Sequence, residues 1–154
     1  AIRYPRSAAK QLVSASSCEA LEIGKAEWLR EGKDLSILAI GNMVNTALKV
    51  SEVLSRKGIE TAVVNARFIK PLDKEMLEEL LRREKMLFTL EEGVINGGFG
   101  SAVLEFVERE NIHGAKIRRL GLPDEFIEHG NRLELLRKYH LTPDEIAATI
   151  EAEI

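Results

Sequence analysis

Gly93-Val94-Ile95-Asn96-Gly97-Gly98-Phe99-Gly100-Ser101 separates two patterned segments. Before it runs Lys85-Met86-Leu87-Phe88-Thr89-Leu90, an apolar strand-like stretch closed by the paired acids Glu91-Glu92. After it, Ala102-Val103-Leu104-Glu105-Phe106-Val107 has the spacing of an amphipathic helix. Strand, glycine-rich turn and helix make half a unit of an open α/β sheet. Such turns bring free backbone N–H groups to the strand ends, where ligands and partner domains dock. The spacing is not G-x-G-x-x-G and no G-K-S/T follows, so the glycines alone name no nucleotide. They require only that something approach the backbone closely.

Outward from this stretch the same alternation repeats. Residues 35–40 are nearly continuously apolar and predict a buried strand. After the turn Gly41-Asn42, the residues Val44, Ala47, Leu48, Val50, Ser51 and Leu54 keep helical spacing until Gly58 stops them. Residues 61–65 predict the next strand. Pro71-Leu72-Asp73 opens a helix running to about Arg83, with Asp73 as N-cap and Met76, Leu77, Leu80 and Leu81 as its buried stripe. Residues 116–121 predict a last strand, and two short helices follow. The second begins at Thr142-Pro143-Asp144-Glu145, a capping box with Pro at its first position. Residues 24–30, leading into Glu31-Gly32-Lys33-Asp34, predict a strand with a tight turn into the next one. Successive βα units imply right-handed crossovers and a doubly wound sheet. The expected fold is a three-layer α/β sandwich on a mostly parallel five-stranded sheet, with the first strand as an antiparallel edge. Its functional rim lies at the carboxyl ends of the strands, at Gly41-Asn42, Asn65-Ala66-Arg67-Phe68, Glu91-Glu92-Gly93 and Gly121-Leu122-Pro123-Asp124.

The chain has 154 residues, 45% of them hydrophobic, enough for one domain with one packed core. Formal net charge is −3 with acids and bases intermixed, which is no nucleic-acid footprint. The one cysteine, Cys18, excludes an internal disulfide and points to a reducing, cytoplasmic compartment. It sits in a Ser/Ala run with no His beside it and reads as an incidental thiol. No apolar run approaches the roughly 18 residues of a membrane span, and no signal-peptide pattern is present. Ala1-Ile2-Arg3-Tyr4-Pro5-Arg6 begins without Met and reads as the end of a strand, so the chain is expected to be a piece of something longer. Residues 1–20 are expected to be a linker from a preceding domain and 21–154 the folded domain.

Four elements occur in order: Tyr4-Pro5-Arg6; Ala66-Arg67-Phe68-Ile69-Lys70-Pro71-Leu72-Asp73; Thr89-Leu90-Glu91-Glu92-Gly93 with Gly97-Gly98-Phe99-Gly100-Ser101; and Gly121-Leu122-Pro123-Asp124-Glu125-Phe126-Ile127-Glu128-His129-Gly130. Together they resemble the C-terminal domain of the thiamine-diphosphate enzymes of the transketolase type. The second and third are shared with transketolases and with the β subunits of 2-oxoacid dehydrogenase E1 components. The first and last look most like the 1-deoxy-D-xylulose-5-phosphate synthases. The resemblance covers essentially the whole chain.

The resemblance implies a condensation of pyruvate with glyceraldehyde 3-phosphate, with loss of carbon dioxide. Thiamine diphosphate carries the chemistry and Mg²⁺ anchors it in the full-length enzyme. It also implies that the cofactor lies between other, upstream domains. This chain has no Gly-Asp-Gly stretch followed by Asn, and it lacks the family's activating Glu. No cofactor or metal site, and no catalytic residue, is therefore expected in the chain itself. The implied partners are the preceding domains and a second copy, as a homodimer; no nucleic acid or membrane is implied. Arg6 matches the family arginine that grips the phosphate of the aldehyde substrate, and a guanidinium suits phosphate oxygens. Ser7 stands where the family usually has Gly. Arg3 points the other way on an extended segment and reads as structural.

The remaining polar residues carry less. Adjacent carboxylates at a strand end face opposite sides, so Glu91 and Glu92 form no acid–base dyad. One or the other is expected to accept hydrogen bonds from nearby backbone N–H groups. Residues 96–101 admit an anion cradle at a helix N-terminus or simple tight packing, and packing is the expectation. Arg67 and Lys70 are expected in salt bridges rather than in an anion site. His113, His129 and His140 have no metal-ligand spacing. Trp28 is expected to pack. Rival readings are the same domain of a transketolase or E1 β subunit, and a stand-alone module binding an anion or effector at the glycine turn.

Overall fold

Every residue of the stretch Leu35–Ala39 is buried, as expected of a strand with helices on both faces. It is the central strand of the sheet in the computed structural model, which describes residues 20–83, 86–114 and 116–154. The elements run β1 (Glu27–Arg30), β2 (Leu35–Ala39), α1 (Met43–Ser55), β3 (Thr61–Asn65), α2 (Lys74–Arg83), β4 (Met86–Val94), α3 (Phe99–Arg109), β5 (Lys116–Leu122), α4 (Arg132–Lys138) and α5 (Pro143–Glu151). The strand order is β1-β3-β2-β4-β5. β1 is antiparallel to β3, and all other pairs are parallel. The expected mostly parallel five-stranded sheet with one antiparallel edge is therefore present. One detail differs. The turn after β1 does not close a hairpin with β2; β1 lies outside β3, with Trp28 opposite Val64. The parallel partners β3 and β4 already occupy both sides of β2.

The chain moves from β2 outward to β3, then back across β2 to β4 and β5. Right-handed crossovers in opposite directions put their helices on opposite faces. The core divides accordingly. On one face Leu35, Ile37 and Ala39 pack with Val44, Ala47, Val50 and Leu54 of α1 and with Ile146 and Ile150 of α5. On the other, Leu38, Val64 and Leu87 pack with Leu77 and Leu80 of α2 and with Phe99, Val103 and Phe106 of α3. Period-two alternation along each strand sorts the side chains between the layers.

Asp73 caps α2 as its sequence position predicts, accepting from Met76 N at 3.1 Å. Its second oxygen accepts from Ala26 N at 2.8 Å, which ties the segment entering β1 to α2. Asn131 caps α4, accepting from Leu133 N at 2.9 Å. α5 carries the predicted capping box between Thr142 and Glu145.

Candidate functional site

The strand order reverses around β2, so the open rim lies at the carboxyl ends of β2 and β4. β4 continues beyond the expected stop at Leu90, and Val94 pairs with Leu122 of β5 after an irregular register. That extension aims Glu91 into the domain, where it is 5% exposed. Its carboxylate accepts from Phe99 N at 2.9 Å and from Gly100 N at 2.8 Å. A charged acceptor thus occupies the positive end of α3, where free N–H groups and the helix dipole favour an anion. α3 begins at Phe99, three residues before the amphipathic spacing that opens at Ala102, because its cap comes from eight residues upstream.

The rest of the turn is spent in the same way. Gly97 N donates to Ser101 Oγ at 3.0 Å, and Ser101 Oγ donates to Ile95 O at 2.9 Å. Arg119 of β5 closes the loop, donating to Ile95 O at 2.6 Å and to Ser101 Oγ at 2.8 Å. Gly97 has φ +72°, a conformation side chains disfavour. A Cβ on Gly98 would strike Val94 O and the Glu91 carboxylate, and one on Gly100 would meet Thr89 Oγ1. The glycines admit the chain's own backbone and carboxylate, as the packing reading expected. Any external anion on the Phe99 and Gly100 N–H groups would have to displace Glu91.

Glu92 faces the other way and forms a two-point pair with Arg132, at 2.7 Å to Nε and 2.5 Å to Nη2. Hydrogen bonding to Glu92 raises the pKa of Arg132 above its ordinary value, against the opposing effect of burial. The two carboxylates are thus held by separate partners on separate sides and do not act as one acid–base unit. Beside the pair lies an open apolar pocket of about 160 Å³ lined by Leu122, Ile127, Gly130, Leu135 and Leu136.

Arg67 pairs with Glu27 at 2.6 Å, the salt bridge expected of it, in a left-handed turn at φ 56°. Lys70 is exposed. Trp28 packs against the α2 and α3 layer, and the Arg83 guanidinium lies 4.9 Å from its ring centre. His113, His129 and His140 are all exposed. Glu145 Oε1 lies 3.3 Å from His140 Nδ1. Among the described residues no cluster of three His, Cys, Asp or Glu side chains has the arrangement of a metal site, and no helix is long and apolar enough to cross a membrane. Arg6, with Arg3, Tyr4, Pro5, Ser7 and Cys18, lies outside the described residues. Sequence reasoning missed Arg119 and Arg132 as clamps. Arg119 shares a strand face with Ile117 and Gly121, an inward phase that hints at its role. Arg132 meets its partner across 40 residues and carries no local signal.

Residues 24–146 match the family described as transketolase, C-terminal domain. The chain is 49% identical over 153 residues to a 1-deoxy-D-xylulose-5-phosphate synthase of Desulforudis audaxviator, covering 99% of this chain and 24% of the relative. It is 45% identical over 150 residues to the synthase of Pelotomaculum thermopropionicum, covering 97% and 24%. The chain thus spans about a quarter of the length of these curated relatives. Among solved structures, a split-gene transketolase described as an inactive β4 tetramer superposes with TM-score 0.85 at 34% identity, over 96% of this chain and 47% of that one. A transketolase from Campylobacter jejuni shares the fold, with TM-score 0.64 at 17% identity over 84% and 18%.

Proposed function

We infer the function from one fact: this chain belongs to the transketolase C-terminal domain family. The reading it supports best is the C-terminal domain of a 1-deoxy-D-xylulose-5-phosphate synthase, which condenses pyruvate with glyceraldehyde 3-phosphate. The observation that carries this reading is identity of 49% and 45% with such synthases along nearly the whole chain, against 34% with the split-gene transketolase. Residues 21–154 are the domain, and 1–20 connect it to preceding domains of a cytoplasmic homodimer.

In the full-length enzyme thiamine diphosphate supplies the carbanion chemistry. The described residues do not fit that group. The backbone donors best placed for a diphosphate, at the start of α3, are held by Glu91, and no acidic cluster suits Mg²⁺ among the described residues. On the family resemblance, the domain's own work is to brace the preceding domains and the dimer, and to deliver Arg6 to the aldehyde phosphate. Filling of the α3 terminus by Glu91 also speaks against the rival anion-binding module.

Arg6→Ala in the full-length enzyme tests the assignment. It raises the Michaelis constant for glyceraldehyde 3-phosphate far more than that for pyruvate. Equal effects on the two substrates reject it. Alone, the chain is catalytically inert, and saturable calorimetric binding of thiamine diphosphate with Mg²⁺ to it overturns that statement.

A further inference from the structure

The chain reaches the sheet over a corner that is fastened at several points. Lys25 N donates to Glu22 O at 3.2 Å, closing a β-turn with Gly24 in its third position at φ +79°. A Cβ on Gly24 would stand 2.8 Å from Pro71 Cγ, so the turn lies directly on the loop before α2. Asp73 holds Ala26 N at 2.8 Å, and Glu75 holds Lys25 Nζ at 2.6 Å. The loop is fastened in its turn by Arg67, whose guanidinium is bound to Glu27. Two fixed loops thus meet, and their tips carry large apolar side chains. Ile23, in the second position of the turn, is 74% exposed, Leu21 59% and Ile69 45%. Turn positions ordinarily go to Gly, Pro, Asn, Asp or Ser. Glu22 and Lys70 stand exposed beside the tips as a charged border.

We propose that these tips form a ledge on which the preceding domain of the same polypeptide rests. This rests on the reading above, the C-terminal domain of a longer synthase, and names the surface by which the domain is braced. The covalent path selects the occupant. The curated relatives are about four times as long as this chain, and the family is that of a C-terminal domain. The rest of such a protein therefore enters through residue 20, next to Leu21. A tethered domain meets the ledge at an effective concentration that reaches roughly the millimolar range, whereas a second copy has to come from solution. The fastenings point the same way. A passive linker needs none of them, but side chains fixed before contact lose less conformational entropy on making it. Apolar tips inside a charged border also suit contacts between domains of one chain, which are more polar than permanent interfaces.

Full-length enzyme assembled from equal parts of unlabelled and ¹⁵N-labelled copies tests this. A photoreactive benzophenone amino acid takes the place of Ile69. On illumination it is expected to link to residues upstream of this domain, with both linked peptides carrying the same label. Links of mixed label mark a second copy and overturn the proposal, as does a probe that captures nothing upstream. Amide hydrogen exchange measures the contact. The N–H groups of residues 22–25 and 68–70 exchange roughly tenfold or more slowly in the full-length enzyme than in the 154-residue chain. Combining Ile23→Asp with Ile69→Asp in the full-length enzyme removes that difference. Leu104→Asp, at an exposed leucine of α3, leaves it intact. Equal rates in the enzyme and the chain, or a double variant as well protected as the wild type, overturn the ledge. Each of these failures leaves the synthase reading in place, since that reading answers to the two Michaelis constants of Arg6→Ala.

Discussion

Two loops leave the same rim of the sheet, one after β4 and one after β5, and they spend their residues in opposite ways. In residues 91–101 the polar groups of the turn are consumed internally: Glu91 and Ser101 accept from its N–H groups, and Arg119 donates to the Ile95 carbonyl and Ser101 Oγ. In residues 123–131 the backbone turns on a bond from Glu125 N to Pro123 O, Glu128 pairs with Lys138, and the largest apolar side chain points outward. The glycine-rich loop has the composition of a ligand cradle and works as a joint between strand and helix. The loop with fewer glycines leaves its one aromatic ring, that of Phe126, without an intrachain partner.

The largest effect that can break this comparison comes from Gly98→Ala. Its Cβ has to displace the Val94 carbonyl and the Glu91 carboxylate. Urea denaturation is expected to show a loss of about 3 kcal/mol. A loss comparable to a surface substitution would mean that the corner is not tightly filled. Glu91→Ala strands two buried donors and costs about 2–3 kcal/mol. It also vacates the end of α3, so phosphate raises the melting temperature of this variant and leaves the wild type unmoved. A phosphate shift in the wild type would restore the binding-module reading.

A smaller effect is expected at α5, away from both loops. Hydrogen bonding to the Thr142 hydroxyl, aided by the Thr142 N–H and His140, holds the Glu145 pKa below its ordinary 4.5. A carboxylate whose folded pKa is depressed stabilises the fold above its unfolded value, and loses that contribution as pH falls through the folded one. The stability gap between wild type and Glu145→Gln is therefore full near neutrality and closes at acid pH. A gap that is constant across this range contradicts the capping role of the charge. The smallest effect sharpens the contrast directly. Phe126→Ala changes monomer stability by no more than about 0.5 kcal/mol, because the ring has no intrachain partner to lose.

Most of the scaffold was legible because its signals are local. The continuous apolar run 35–40, the spacing from Val44 to Leu54 and the Asp73 cap each report a nearby physical need. The resemblance carried by the four motifs reached further, to the family and its synthase members. What was not legible depended on distant partners. β4 runs on to Val94 because β5 pairs with it there. β1 sits against β3 because both sides of β2 are taken. Spacing separated the roles of Glu91 and Glu92, since neighbours in a strand face opposite ways. Which of the two would meet backbone donors depended on where α3 starts.

By itself, the sequence determined the layer architecture and the absence of a catalytic dyad at Glu91-Glu92. Periodicity and turn chemistry act between residues a few positions apart, and they are present in any reading of the chain. Only the tertiary structure decided that Glu91 fills the end of α3, that Arg119 and Arg132 clamp the rim, and that Phe126 stands beside an empty apolar pocket. These depend on which surfaces remain after helices and strands have packed, and no short window of residues contains both sides of such a contact.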